Sequence, residues 1–275
     1  MPFPTDRSSQ QNSKQKQSPS IALATLILLT VLIHPMVPHD LGAEELPRYN
    51  EAVQLFQQGK YEDSLEAIRS VFDDYKTSYD FRMLAAANYL EQSNFEAAVS
   101  HLRYCMKDHP GRAEPHALLA AVYRRSGQPV KALAHIRDVI GKFPDSDDIR
   151  WEAALSYLAL DRVEAARTHV SKILSGNPSH FGALYLDGVL YLKAGDLENA
   201  EFRLRNAARV GTPDQNLQFG LLNNLGLTLS LLATRATGER REDYLKRARE
   251  YLQKAAEIRP NDPALKRNMA NLPAS

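Results

Sequence analysis

One interval governs this chain. Tyr89, Tyr123, Tyr157 and Tyr191 stand 34 residues apart, and so do Ala98, Ala132, Ala166 and Ala200. Ala86, Ala120 and Ala154 repeat at the same spacing, with Gly188 in the fourth place, and Pro110, Pro144 and Pro178 close three successive units. One step earlier, Ala52, Leu55, Gly59 and Tyr61 align with Ala86, Tyr89, Ser93 and Phe95. Five units therefore run in one register from Glu45 to Asp214: 45–78, 79–112, 113–146, 147–180 and 181–214. A sequence that repeats at such a period builds its fold by stacking identical units, because a single unit cannot bury its own apolar face.

Within a unit the pattern is helical. Apolar residues recur three and four apart, as in Leu119, Ala120 and Tyr123, and then Ala132, Ile136 and Val139. Between the two runs, Ser126-Gly127 and Ala194-Gly195 stop the first helix, since glycine accepts the left-handed backbone of a helix end. Proline at the end of the second run prevents its continuation. Small residues at positions such as Ala120 and Ala132 let two helices approach closely. The expected class is all-α, built from antiparallel helix pairs.

This pattern resembles the tetratricopeptide repeat, a helix-turn-helix unit that stacks into a superhelical solenoid. The residues that carry the resemblance are the small eighth residue, Tyr at the eleventh place, Gly at the fifteenth, an aromatic or apolar seventeenth, Ala at the twentieth and Pro at the thirty-second. It covers about two thirds of the chain. Three departures stand out. Ser64 replaces the usual Ala, Lys76 replaces the usual Pro, and Asp187 occupies a normally apolar seventh place. Asp187 is read either as a cap or ion-pair partner or as a polar feature of the groove.

A sixth unit, 219–262, is stretched. Asn223–Ala233 reads as a first helix and Tyr244–Pro260 as a second, with the register slipping by ten residues around Thr234–Asp243. The tail after Pro260 reads as a short closing helix, whose Lys266 and Arg267 fit the polar cap that a solenoid end needs. The solenoid is thus expected to occupy 44–275.

Residues 1–43 are different material. A Ser- and Gln-rich start carries Arg7, Lys14 and Lys16, and Ile21–Ile33 is an uncharged apolar run. Small residues end it at Ala43, ahead of Glu44 and Glu45. A basic start, a short apolar core and a small terminal residue describe a secretory signal, cleaved after Ala43. Thirteen helical residues span about 20 Å against a bilayer core of about 30 Å, which favours cleavage over a permanent anchor. Retention of residues 21–37 as an inner-membrane anchor is the alternative. The expected location is exported, either periplasmic or secretory. The membrane is involved only through this segment if it stays uncleaved.

The charge excludes one class of partner. Lys and Arg number 34 against 33 Asp and Glu. Nucleic-acid binders need a basic surplus to release phosphate counterions, and none exists here. The single cysteine, Cys105, stands where the fifth unit has Ala207, and reads as a small core residue. The sequence holds no HExxH, CxxC, phosphate-binding glycine loop or G-x-S-x-G elbow. No enzyme activity, cofactor or metal is expected. The one pattern that bears on chemistry is a ladder: His101, His135 and His169 fill the same twenty-third place, which continues as Arg203 and begins as Ala67. It is open to three readings. One is a metal-dependent enzyme site, one a pH-responsive surface, and one a residue inherited through duplication.

The resemblance implies that the first helix of each repeat lines a concave groove through its second, fifth, ninth, twelfth and thirteenth residues. Those positions carry Met83, Ala87 and Leu90; Ala117, Ala121, Arg124 and Arg125; Trp151, Leu155 and Leu158; and Tyr185, Val189, Leu192 and Lys193. So apolar a wall marks a candidate site for a protein or peptide partner, an apolar helix or an extended segment. Trp151 and Tyr185 are of the types that dominate binding hot spots. The alternative for Trp151 is that it braces the stack. The Lys and Asn set by which some relatives clamp an acidic chain terminus is missing, with Tyr49, Val53 and Leu84 in its place. A second candidate surface is the charged cluster of the stretched unit, Arg235, Arg240, Arg241, Lys246, Arg247 and Arg249. The function implied is a non-enzymatic scaffold for assembly of an envelope or secretory-pathway complex. A membrane-anchored assembly factor of the pilus, secretion or cytochrome-maturation type is the variant.

Overall fold

The computed structural model describes residues 41, 46–75 and 78–273. The signal or anchor expected within 1–43 lies outside them, Leu41 excepted, and so does Lys76. Among the described residues there are thirteen helices and no strand. In chain order they are α1 (Leu46–Gln57), α2 (Tyr61–Tyr75), α3 (Tyr79–Glu91), α4 (Phe95–Asp108), α5 (Glu114–Arg125), α6 (Pro129–Val139) and α7 (Asp147–Ala159). Then follow α8 (Val163–Gly176), α9 (Phe181–Ala194), α10 (Leu197–Val210), α11 (Gln215–Thr234), α12 (Gly238–Ile258) and α13 (Pro263–Ala270). Each packs on the helix before it and the helix after it, giving six hairpins and a closing helix. No helix among them is long and apolar enough to cross a membrane.

The repeat period reappears in the backbone. Gly59, Ser93, Gly127, Asp161 and Gly195, the fifteenth residue of each unit, all adopt positive φ between 60° and 78°. Each ends a first helix and starts the turn into the second. Glycine takes this conformation without strain, whereas Ser93 and Asp161 hold it against the clash of their own Cβ.

The hairpins close on the small residues. A Cβ added at Gly188 would stand 2.6 Å from Leu204 Cγ, and one at Gly226 would stand 2.5 Å from Leu252 Cγ. The eighth place of a unit therefore meets the twenty-fourth. Ala52 with Ile68, Ala86 with Leu102, Ala120 with Ile136 and Ala154 with Val170 are the equivalent pairs, all buried, each within one core cluster. The spacing is sixteen residues in the first five units and twenty-six in the sixth, which is the ten-residue slip seen in the sequence. The extra residues do not form a loop over Thr234–Asp243. Only Arg235–Thr237 links the two helices, and α12 begins at Gly238, so the added length goes into longer helices. The closing helix α13 is capped by Asp262, whose carboxylate accepts from the Ala264 and Leu265 amides.

Ser64, the exception at the twentieth place, is fully buried. Its hydroxyl donates to the Ala52 carbonyl at 2.8 Å and accepts from Asn88 Nδ2 at 3.0 Å. A buried hydroxyl persists when it is paired in this way.

Candidate functional site

The first helices and the second helices bury differently, and this decides where a partner can touch. The second helices are one-sided. Only Ala98, Leu102 and Cys105 are buried on α4, and only Ala166, Val170 and Ile173 on α8. Of the first helices, α3, α5, α7, α9 and α11 are buried on nearly every side, whereas α1 buries only Tyr49 and Ala52. On α9 every residue from Ala183 to Leu190 is buried, as is Leu192. A helix that is apolar on every side is one enclosed by neighbours.

The groove residues expected from the sequence lie on these enclosed helices. Met83, Ala87 and Leu90 on α3, Ala117, Ala121 and Arg124 on α5, Trp151, Leu155 and Leu158 on α7, and Tyr185, Val189 and Leu192 on α9 are all buried. In this structure these side chains are enclosed rather than open to solvent. Met83, Ala87, Leu90 and Ala121 share one core cluster with Leu118 and Val122. Trp151, Leu155, Leu158, Tyr185 and Val189 share another, with Leu221 and Leu225 of α11. Trp151 is only 4% exposed. Its ring lies where a Cβ at Gly182 would meet it at 3.2 Å, and His180 packs on it at 6.1 Å. This is the bracing role, a tryptophan wedged between consecutive units. Tyr185 holds the next joint: its hydroxyl accepts from Asn224 Nδ2 at 3.1 Å, and Gly220 leaves room for it by lacking a Cβ.

Charged residues tie the first helices to one another. Arg124 Nε donates to Glu152 Oε2 at 2.9 Å and its Nη2 to Oε1 at 3.3 Å, with both side chains buried. The planar guanidinium matches the carboxylate at two points, the arrangement that best offsets the loss of hydration. One residue on, Arg125 pairs with Glu91 at 2.5 Å, and Lys193 pairs with Asp161 at 2.5 Å. These two pairs reach solvent at the helix ends, the first mostly buried and the second through an exposed Asp161, and are what the expected groove presents to water.

The histidine ladder resolves into three ring contacts. His101 lies 5.5 Å from Tyr89, His135 6.3 Å from Tyr123 and His169 5.5 Å from Tyr157. Each is a contact between the twenty-third and eleventh places of one hairpin. The fifth unit keeps the position and changes the chemistry: Arg203 reaches Asp187 at 3.0 Å. Arg167, which lies over the Tyr191 ring at 3.9 Å, approaches the same carboxylate at 3.8 Å. Asp187 is thus the ion-pair partner that was one of its two readings. Burial pushes its carboxyl above the usual range, against the pull of Arg203 and Arg167. Burial also pushes His101 down to about 4 and lowers His169. Among the described residues no three His, Cys, Asp or Glu side chains converge as metal ligands would. Cys105 is buried and its thiol is pushed up to about 12 by burial, so it stays protonated and inert at neutral pH.

The basic cluster of the sixth unit is largely paired. Arg247 bridges Glu201 at 2.6 Å and Asp243 at 3.5 Å, joining α12 to α10. Arg240 donates to the Tyr244 hydroxyl at 3.0 Å. A residue pair that the sequence did not single out is His116 with His135, whose rings stack at 5.3 Å across α5 and α6. Only His135 belongs to the ladder, and His116 has no equivalent in other units, so the period could not reveal it.

Models of the tetratricopeptide repeat match residues 89–156, and residues 49–104 and 152–216, which together take in more than half of the chain. No curated protein matches the sequence. Among solved structures, PilW, described as a widely conserved type IV pilus biogenesis factor, superposes with a TM-score of 0.60 at 13% identity, over 83% of this chain and 100% of that one. Pseudomonas aeruginosa pilF gives 0.60 at 14% identity, over 82% and 96%. A tetratricopeptide repeat protein from Parabacteroides merdae gives 0.59 at 16%, over 82% of each chain. At these identities the likeness is one of fold. With its repeat register, small-residue seams and six hairpins, the chain belongs to the tetratricopeptide repeat family, whose members serve as protein-interaction scaffolds.

Proposed function

We propose that this chain is a non-enzymatic scaffold that holds a protein partner along its first helices, on the far side of a membrane, during assembly of an envelope complex. The observation that carries the reading is the division of labour in the repeats. The first helices from α3 onward form an enclosed spine, while the ends of α3, α5 and α9 present Glu91, Arg125 and Lys193 in two ion pairs that reach solvent. Such a surface can exchange internal pairs for pairs with a partner, which gives register and specificity more than raw affinity. The buried apolar residues beneath would act by holding that edge in place. Two things support the envelope setting: the signal-like composition of residues 1–43, and the fold shared with a pilus biogenesis factor.

The test is expression of the full chain with a C-terminal tag in its own host. The intact mass is read together with partner recovery for the wild type and an Arg125→Glu, Lys193→Glu variant that is still folded at the assay temperature. A mass beginning at Glu44 and loss of the partner in the variant support the exported scaffold. A mass that retains residues 1–43, with the chain in the membrane fraction, moves the reading to an anchored assembly factor. Full partner recovery in the variant removes the first-helix edge as the contact surface.

A further inference from the structure

We infer that the contact between His116 and His135 is an acid-sensitive clasp, which loosens the third hairpin when the surroundings acidify while the fifth hairpin stays closed. His116 sits on α5 and His135 on α6. His116 Nδ1 and His135 Nε2 are 3.3 Å apart, close enough for a ring N–H to donate to the facing ring nitrogen. The rings are nearly parallel, with 21° between their planes. Phe143 packs on His116 at 5.4 Å, and Tyr123 meets His135 edge-on at 6.3 Å.

This arrangement needs one ring to donate and the other to accept. A first proton converts the donor–acceptor pair into an imidazolium against an imidazole in a half-buried site. A second proton sets N–H against N–H and removes the bond. Among the described residues, the charges acting on the pair are few. Lys142, in the turn after α6, opposes a proton on His116, as does His135 itself. Asp138 on α6 favours one on His135. Lys131 is taken up by the face of the Tyr123 ring at 4.4 Å. Burial is the largest influence on both rings, pushing His116 down to about 4 and lowering His135.

The sign follows from linkage. A histidine whose folded pKa lies below its ordinary value of 6.5 takes its proton first in the open state. The stabilisation is therefore full above that value and is lost as pH falls from 6.5 towards 4. The fifth hairpin runs the other way. Its carboxyl, Asp187, is raised by burial, so the closed form takes up a proton more readily than the open form. Acid does not loosen that joint through Asp187; α9 is capped by His180, whose Nδ1 accepts from the Ala183 amide, so α10, which carries no histidine, is the internal reference in the same molecule.

Amide hydrogen exchange on the full chain, corrected for the intrinsic pH dependence, tests the clasp at about pH 7.5 and about pH 5. Amides of α5 and α6 are expected to lose about tenfold in protection at the lower pH relative to those of α10. In a His116→Phe, His135→Phe variant, which keeps ring packing and removes titration, that difference is expected to vanish. Equal loosening of α10 in the wild type overturns the inference, and so does an unchanged pH response in the variant. Should the variant not fold, the imidazole titrations of His116 and His135 in the wild type, followed by NMR, decide the matter. Midpoints well below 6.5 support the clasp, and two ordinary midpoints sink it.

Discussion

The first and second helices of a repeat are cut from similar material and do different work. On α8 the buried residues are Ala166, Val170 and Ile173, a single stripe at four- and three-residue spacing, and the rest of the helix meets water. On α7, its hairpin partner, Ile149 and every residue from Trp151 to Ser156 are buried, as is Leu158. A stripe needs one neighbour, whereas a helix buried all round needs neighbours on several sides. The first helices are the spine of the stack and the second helices its outer course. A side chain lost from the spine is missed by two units at once.

The largest expected consequence concerns Trp151. Replacing it by Ala removes a buried aromatic wedged against Gly182 and His180, and is expected to cost about 3–5 kcal/mol in a chemical denaturation series. Phe202→Ala on α10, where the ring is 46% exposed, is expected to stay within about 0.5 kcal/mol. Equal losses at the two sites would abolish the distinction between spine and outer course.

Neighbouring arginines on one helix sharpen the comparison. Arg124→Ala leaves the buried Glu152 carboxylate without its bidentate partner and is expected to cost about 3–5 kcal/mol. Arg125→Ala breaks a pair whose side chains are 12% and 21% exposed, and the expected cost is about 1 kcal/mol. Thermal melts of the two single variants, with Glu152→Gln and Glu91→Gln as partners in double-mutant cycles, measure the coupling directly.

The fold was legible in the sequence because the period is a covalent fact. The helix breaks of the first five units and the ten-residue slip of the sixth follow from counting residues, whereas the eighth-to-twenty-fourth contact and the lengthened helices of the sixth unit appear only in the folded chain. Ala120 illustrates this. Its register predicts a close approach of two helices, and the structure buries it with Ile136 in one cluster. Ala120→Leu is expected to overpack that seam at a cost of about 1–3 kcal/mol, read as a lowered midpoint with an unchanged m-value. The groove was not legible. A family position says which way a side chain points along a helix, and not whether the next unit covers it. Trp151, Leu155 and Tyr185 hold the positions of a groove wall, and their apolar character is equally that of an interior. Burial depends on how tightly consecutive units close, which rests on long-range contacts such as Tyr185 with Asn224, 39 residues away. The helical ladder of histidines was visible as a pattern, but its partners at the eleventh place appear only once the hairpin is folded.

The smallest effects lie at the turns that join spine to outer course, where the backbone alone differs between units. Ser93 holds a φ of 60° at the place where Gly59, Gly127 and Gly195 stand. A non-glycine residue in this left-handed region is strained by about 1 kcal/mol, and glycine gives back part of that through its freer unfolded chain. Ser93→Gly is therefore expected to stabilise the chain by about 0.5 kcal/mol. Asp161 has the same φ of 60°, but its carboxylate pairs with Lys193 at 2.5 Å. Its side chain is 77% exposed, so that pair is worth about 0.5 kcal/mol and offsets the relief of strain. Asp161→Gly is expected to leave the midpoint where it is, and at high salt, where the exposed pair is screened, to become as stabilising as Ser93→Gly. A gain from Asp161→Gly that salt does not alter would show that the turn is governed by its backbone alone and that the ion pair at the end of α9 contributes nothing to closing it.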